Sequence, residues 1–274
     1  MDRSSTRRRL SDPGDGPDRT DDPPGRRVAR PSGYRLSGLQ GRVIDALGSA
    51  IVSGRFAPGE LLPREPDLMA EFQASRPSLR EALKVLAAKG LIEMRQRVGT
   101  RVRPRDLWNM FDSDVLAWHL GGGDDRTQGD AILRDLIELR QIIEPAAARY
   151  AATRASIEDL RRIQQAHNAM AAAIHDLTAY ARADVEFHMA VLAASKNSLL
   201  ARFAHLVADF LHESFRIQQQ ALNEHDNRIE DDLRQHAVIF DAINGGDGEE
   251  AAAAMLRVIL NGKVSLLAAI EGRK

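Results

Sequence analysis

The chain has 274 residues, 43% of them hydrophobic and 5% aromatic, with a formal net charge of −1. That length suits two domains with packed cores, and the lack of cysteine excludes disulfides, thiol catalysis and zinc fingers. No uninterrupted run of about 18 apolar residues occurs, so neither a membrane span nor a membrane partner is expected, and a cytoplasmic protein is.

Residues 1–33 hold 8 Arg, 6 Asp, 5 Pro and 4 Gly with almost no large apolar side chains, the composition of a disordered tail. Its Arg7-Arg8-Arg9 and Arg26-Arg27 either reach an anionic partner or only solubilise the chain, and the tail lacks the apolar stretch of a secretory signal. Leu39 to Ser53 then carries Leu39, Val43, Ile44, Leu47 and Ile51 at helical spacing, with Ser37 as a cap and Gly54 as a stop. After the Pro58-Gly59 turn a short helix spans roughly Arg64 to Phe72. Ser75 caps a third helix that has Pro77 in its first turn and ends near Ala88 before Gly90. Leu91–Arg95 and Thr100–Arg103 read as a two-stranded wing around Gly99.

Residues 34–103 therefore read as a winged helix-turn-helix. In that geometry the N-terminal residues of the second helix of the motif meet base edges in double-stranded DNA. Here those are Arg76, Ser78 and Arg80, and Arg suits bidentate pairing with guanine. Ser75 and the helix N-terminus suit a phosphate. From Tyr34 to Arg103 there are 12 Lys/Arg against 7 Asp/Glu, whereas residues 104–274 hold 18 against 26. A near-neutral chain thus carries a basic module on an acidic body, as phosphate binding requires. The alternative is a solvated basic face on a small helical domain.

Ile51 to Val102 resembles the DNA-binding domain of the GntR family of bacterial transcription regulators. The resemblance rests on Gly54, Pro58-Gly59, Leu62-Pro63, Glu65, Leu68, Ser75-Arg76, Leu79-Arg80-Glu81-Ala82-Leu83, Leu86, Gly90-Leu91-Ile92 and Gly99-Thr100. Two positions depart from it. Pro66 stands where members often carry a charged residue, with Arg64 as a substitute contact, and Val98 replaces a common wing glycine.

Residues 104–129 read as a linker with Trp108 and Phe111 as anchors and a short helix over Asp112–Leu120, closed by Gly121-Gly122-Gly123. Amphipathic helices follow at roughly 130–153, 157–174, 178–194, 198–219, 228–244 and 248–270, with a capping box at Ser156–Asp159. The expected fold is mostly α: a winged helix-turn-helix followed by an all-α antiparallel bundle over 130–272.

That bundle resembles the effector-binding FCD domain of the FadR subfamily. The match rests on Glu138-Leu139-Arg140, Glu144–Ala148, Asp184–His188, Asn197, His236, Ile239 and Asp241–Ile243. Asp184 and His188, four apart, share a helix face and suit one divalent cation, with His236 as a third ligand. The other reading of the Asp184/His188 pair is a surface ion pair. The subfamily's fourth ligand is a histidine that falls by register at Val258, which cannot ligate, and Asn261 offers only a weak oxygen. Zinc is the expected ion, given two imidazoles.

Arg140 lies in an apolar stretch and suits bidentate capture of a carboxylate, or else pairs with Glu144 at i,i+4. Asn197 either contacts an effector or marks a helix end. The remaining histidines, His119 among them, read as solvated or capping residues. The pattern from Arg105 through Trp118 further resembles the subgroup that regulates sugar-acid catabolism. It implies a homodimeric repressor, not an enzyme, released from its operator by a small carboxylate such as galactonate. A fatty-acyl or other organic-acid sensor, and a metallohydrolase built on the same Asp/His/His set, are the alternatives. No HExxH motif supports the latter.

Overall fold

The computed structural model describes residues 39–120, 126–221 and 228–271. The 1–33 tail, the Ser37 cap and the triple glycine lie outside them. Ten α-helices and one two-stranded sheet occur among the described residues.

The first three helices are α1 (Leu39–Val52), α2 (Glu65–Glu71) and α3 (Arg76–Ala88). Ile44, Leu47, Ile51, Leu79 and Leu86 are fully buried between them. Ser75 caps α3 by accepting from the Ser78 backbone N–H at 3.3 Å. Gly90, at φ 82°, ends it beside the Leu107 carbonyl, too close for any Cβ.

Strands β1 (Ile92–Arg95) and β2 (Gly99–Val102) pair antiparallel, Ile92 opposite Val102 and Arg95 opposite Gly99. The second strand starts one residue earlier than its pattern predicts, because Gly99 at φ 113° already pairs with Arg95. Arg103 N–H bonds the Leu91 carbonyl at 2.9 Å, just beyond the ladder. The 59–62 segment adds to the wing: Leu62 N–H donates to Thr100 O at 2.8 Å and Val102 N–H to Glu60 O at 2.9 Å.

A 3₁₀ turn (Arg105–Leu107) leads to α4 (Ser113–Leu120). This helix belongs to two cores at once. Val115 and Trp118 pack with α1 and α3 residues, while Leu116 and Leu120 pack with Leu133, Ile137 and Leu206 of the bundle. Trp118 Nε1–H donates to Asp45 Oδ1 at 2.7 Å, and its ring lies so close to Gly48 that a Cβ there would overlap it. Lys89, at the end of α3, reaches Asp112 at 2.7 Å and Asp114 at 2.8 Å. His119, which the sequence reads as solvated or capping, is buried: its Nδ1 is 2.8 Å from Val115 O and its ring lies against Trp108.

The bundle comprises α5 (Arg126–Arg154), α6 (Ile157–Ala172), α7 (Leu177–Ala194), α8 (Ser198–Ala221), α9 (Arg228–Asn244) and α10 (Gly248–Glu271). The predicted capping box is present, Ser156 accepting from Asp159 N–H and Asp159 from Ser156 N–H. By length and composition α10 is apolar enough to cross a membrane, although no uninterrupted apolar run signals it. It packs instead against α5, α8 and α9 and buries Ala251, Ala254, Met255, Val258, Ile259 and Leu266.

Candidate functional site

The first region follows from α2, α3 and the wing. Arg76 and Arg80 are exposed one turn apart at the N-terminal end of α3, Ser75 is exposed at its cap, and Ser78 is half-buried. Arg80 Nε lies 3.3 Å from both carboxylate oxygens of Glu65. An exposed pair of this kind is worth at most about 1 kcal/mol, so Arg80 can exchange it for a base edge or a phosphate. Arg64 is exposed at the start of α2 and makes no side-chain cap bond. Gly99 is exposed at the wing, where Val98 is 54% accessible. The sequence-predicted DNA residues thus lie on α2, α3 and the wing of one small domain, and none is sequestered in its core.

The second region lies within the bundle. Asp184 and His188 share a face of α7, and His236 comes from α9; all three are buried. They are therefore no surface ion pair. Asp184 Oδ1 is 3.0 Å from His236 Nε2 and 3.7 Å from His188 Nε2, and the two Nε2 atoms are 3.4 Å apart. Ligands at 2.0–2.1 Å from one tetrahedral zinc stand about 3.3 Å from each other, close to these separations. The outer nitrogens also fit. His188 Nδ1 is 2.5 Å from Glu144 Oε2, and His236 Nδ1 is 2.8 Å from the Asp232 carbonyl and 3.4 Å from its carboxylate. Both rings thus keep Nε2 for the shared point, as outer acceptors do for metal-bound imidazoles. The residues present suit a divalent cation with three protein ligands. Val258 is buried in the apolar core, and Asn261 is exposed and bonded to Gln235 at 2.7 Å, so neither completes the set.

Electrostatics agree with the geometry. Burial raises the Asp184 carboxyl, but His188 and His236 outweigh it and hold it below the usual range. Burial lowers His236, yet Asp232 and Asp184 push it up to about 9. Burial raises Glu144, while Arg140 and then His188 bring it down to about 2.

Arg140 does pair with Glu144. Its Nε donates to Oε1, its Nη2 is 3.4 Å from Oε2, and its Cζ lies 4.9 Å from the Phe210 ring centroid. It is 7% exposed and borders a shallow, open apolar cleft between α5 and α8, lined otherwise by Leu136, Leu139, Ile143, Phe203, Leu206, Val207 and Phe210. Asn197 is not brought to this site. Its Oδ1 accepts from Leu199 N–H at 3.0 Å and Leu200 N–H at 3.3 Å, which makes it the cap of α8.

Sequence reasoning missed three neighbours. By spacing Glu144 reads only as a partner for Arg140, yet it also backs His188. Asp232, four before His236, repeats the Asp184/His188 spacing and was a legible signal. Tyr180 donates to Asp232 Oδ2 at 2.7 Å, and no local pattern marks it.

Bacterial regulatory proteins of the gntR family match residues 39–102, and the FCD domain matches residues 135–261. Over 218 residues the chain is 37% identical to the galactonate operon transcriptional repressor of Escherichia coli K12, covering 80% of this chain and 92% of that one. It is 32% identical over 212 residues to the HTH-type transcriptional regulator LutR of Bacillus subtilis, covering 77% and 93%. A solved structure of Lar, which controls expression of the Listeria monocytogenes agr system, shares the fold, with a TM-score of 0.57 at 19% identity over 86% of this chain and 99% of that one.

Proposed function

The chain belongs to the gntR family of bacterial regulatory proteins and carries an FCD domain, and from that premise we propose how it senses its signal. It is a ligand-responsive DNA-binding transcription regulator, and its relatives are regulators, so the hydrolase alternative falls. In our reading it is a homodimeric repressor of a sugar-acid operon. Arg76, Ser78 and Arg80 read the major groove, Arg64, Ser75 and the Gly99 wing contact the backbone, and a two-fold protein matches a pseudo-palindromic site.

The observation that carries the sensing role is the buried convergence of Asp184 Oδ1, His188 Nε2 and His236 Nε2. These residues would hold a divalent cation, zinc by its donor set; when bound, it supplies a positive charge for a carboxylate and hydroxyl oxygens. Arg140 gives the effector carboxylate a second cationic partner, and Asp184 is held ionised by its two histidines. The 37% identity to a galactonate operon repressor favours an aldonate.

The test is calorimetric titration of galactonate, with zinc present, into the full chain and into the variant Asp184→Ala/His188→Ala/His236→Ala. Binding by the native chain only, with DNA affinity equal in both, is expected. A variant that still binds galactonate places the sensor elsewhere. The apolar lining of the cleft beside Arg140 favours a second reading, an organic acid with an apolar tail. Octanoate binding that survives the triple substitution and is lost in Arg140→Met would select it.

A further inference from the structure

We propose that Glu144 is a positioning residue whose single carboxylate is divided between Arg140 and His188, so that Arg140 sets how tightly Asp184, His188 and His236 hold a divalent cation. The proposal rests on the reading of those three residues as a cation site.

The argument starts from the burial of Glu144. A carboxylate with 1% exposure must satisfy its oxygens within the protein. Oε1 accepts from Arg140 Nε, whereas Oε2 faces two donors, His188 Nδ1 at 2.5 Å and Arg140 Nη2 at 3.4 Å. The bond to His188 does two things. It holds the proton on Nδ1, which turns the Nε2 lone pair toward Asp184 and His236, and it makes the ring a stronger donor by supporting positive charge on it. The guanidinium competes for that support, since a cation on the same carboxylate draws its negative charge away from the imidazole.

The second histidine provides an internal contrast. His236 is backed by the Asp232 backbone carbonyl at 2.8 Å, with the Asp232 carboxylate further off at 3.4 Å, and Asp232 also receives the Tyr180 hydroxyl. Among the described residues, no guanidinium pairs with Asp232. The two rings are therefore supported differently, and the support of His188 varies with Arg140.

Arg140 in turn is held by more than Glu144. The Phe210 ring lies against its guanidinium at 4.9 Å, and the residue borders the α5/α8 cleft. An anion that enters the cleft and engages Arg140 would return Oε2 to His188. Cation and anion would then strengthen each other through Glu144 as well as by direct contact, and linkage makes the effect reciprocal.

The test uses cobalt(II) as a visible substitute for zinc, titrated into the full chain and followed by its absorption bands. Glu144→Gln should weaken cobalt binding by about 10-fold or more, the usual loss for an outer partner. Arg140→Met should tighten it several-fold, and the double variant should match Glu144→Gln. Tightening by Arg140→Met of equal size in both backgrounds would mean direct charge repulsion and would overturn the relay. Unchanged affinity in Glu144→Gln overturns the positioning role alone. No cobalt binding by the native chain overturns the cation site and the inference with it. Should Glu144→Gln fail to fold, the Nδ1–H proton resonance of His188 decides. It should move downfield in Arg140→Met, and an unmoved resonance overturns the proposal.

Discussion

A cation at the proposed site would compete with a proton for Nε2 of His236. With the proton bound, the ring is stabilised by Asp232 and Asp184 against the burial that opposes its charge, and its pKa rises to about 9. This folded value lies above the ordinary 6.5, so in the metal-free protein the contribution of His236 to stability is fully present below about pH 6.5. It is lost as pH rises through about 9. Cation binding has the opposite trend because it releases that proton. Zinc affinity should therefore rise by about tenfold per pH unit between 6.5 and 9, and a flat profile would show that His236 is not displaced. A second residue acts far from this site. Burial raises Asp159, but Lys196 and Ser156 bring it down to about 2, so its contribution is present above the ordinary 3.8 and lost as pH falls through about 2. Asp159→Ala removes half of the capping box and the Lys196 pair, which should cost roughly 1–2 kcal/mol by urea denaturation at neutral pH.

Among the elements, α4 buries every residue from Val115 to Leu120. An added methyl at position 48 would overlap the Trp118 ring. Gly48→Ala should accordingly cost about 1–3 kcal/mol, the usual price of overpacking, despite the better helix propensity of alanine. An unchanged melting temperature would show that α1 and α4 separate freely. Helical periodicity and caps made most elements legible: α6 to α10 lie within two residues of their expected limits because Ser156, Asn197 and the Gly245-Gly246 break punctuate them. Periodicity failed where tertiary contacts decide. The sequence pattern starts α5 after Gly129, yet the helix runs through that glycine from Arg126. The burial of His119 depends on Trp108, eleven residues away, and no local pattern encodes it. At the site, i,i+4 spacing revealed Asp184/His188, whereas the Glu144–His188 contact joins α5 to α7 across 44 residues and could not be read from spacing.

At the scale of the molecule, a basic head rests on an acidic body. Arg76 and Arg80 are exposed at the start of α3, and each should contribute about 1–3 kcal/mol to recognition of a site selected from random duplexes if it reads a base. Gel-shift titration of Arg76→Ala and Arg80→Ala checks this, and two variants of native affinity would mean that another element reads the DNA. Light scattering should give twice the chain mass at micromolar concentration, and a monomer would contradict the proposed two-fold assembly.

The double membership of α4 bears on how such proteins can recombine. A crossover at residue 103 would graft a foreign head onto a helix whose Val115 and Trp118 were fitted to Leu47, Gly48 and Asp45 of the old one. A crossover after residue 120 would only move the mismatch, because Leu116 and Leu120 were fitted to Leu133 and Leu206. Neither joint is neutral. Viable chimeras should carry compensating changes at position 48 or 118, and libraries of shuffled heads should be enriched for small residues at 48 wherever tryptophan is kept at 118.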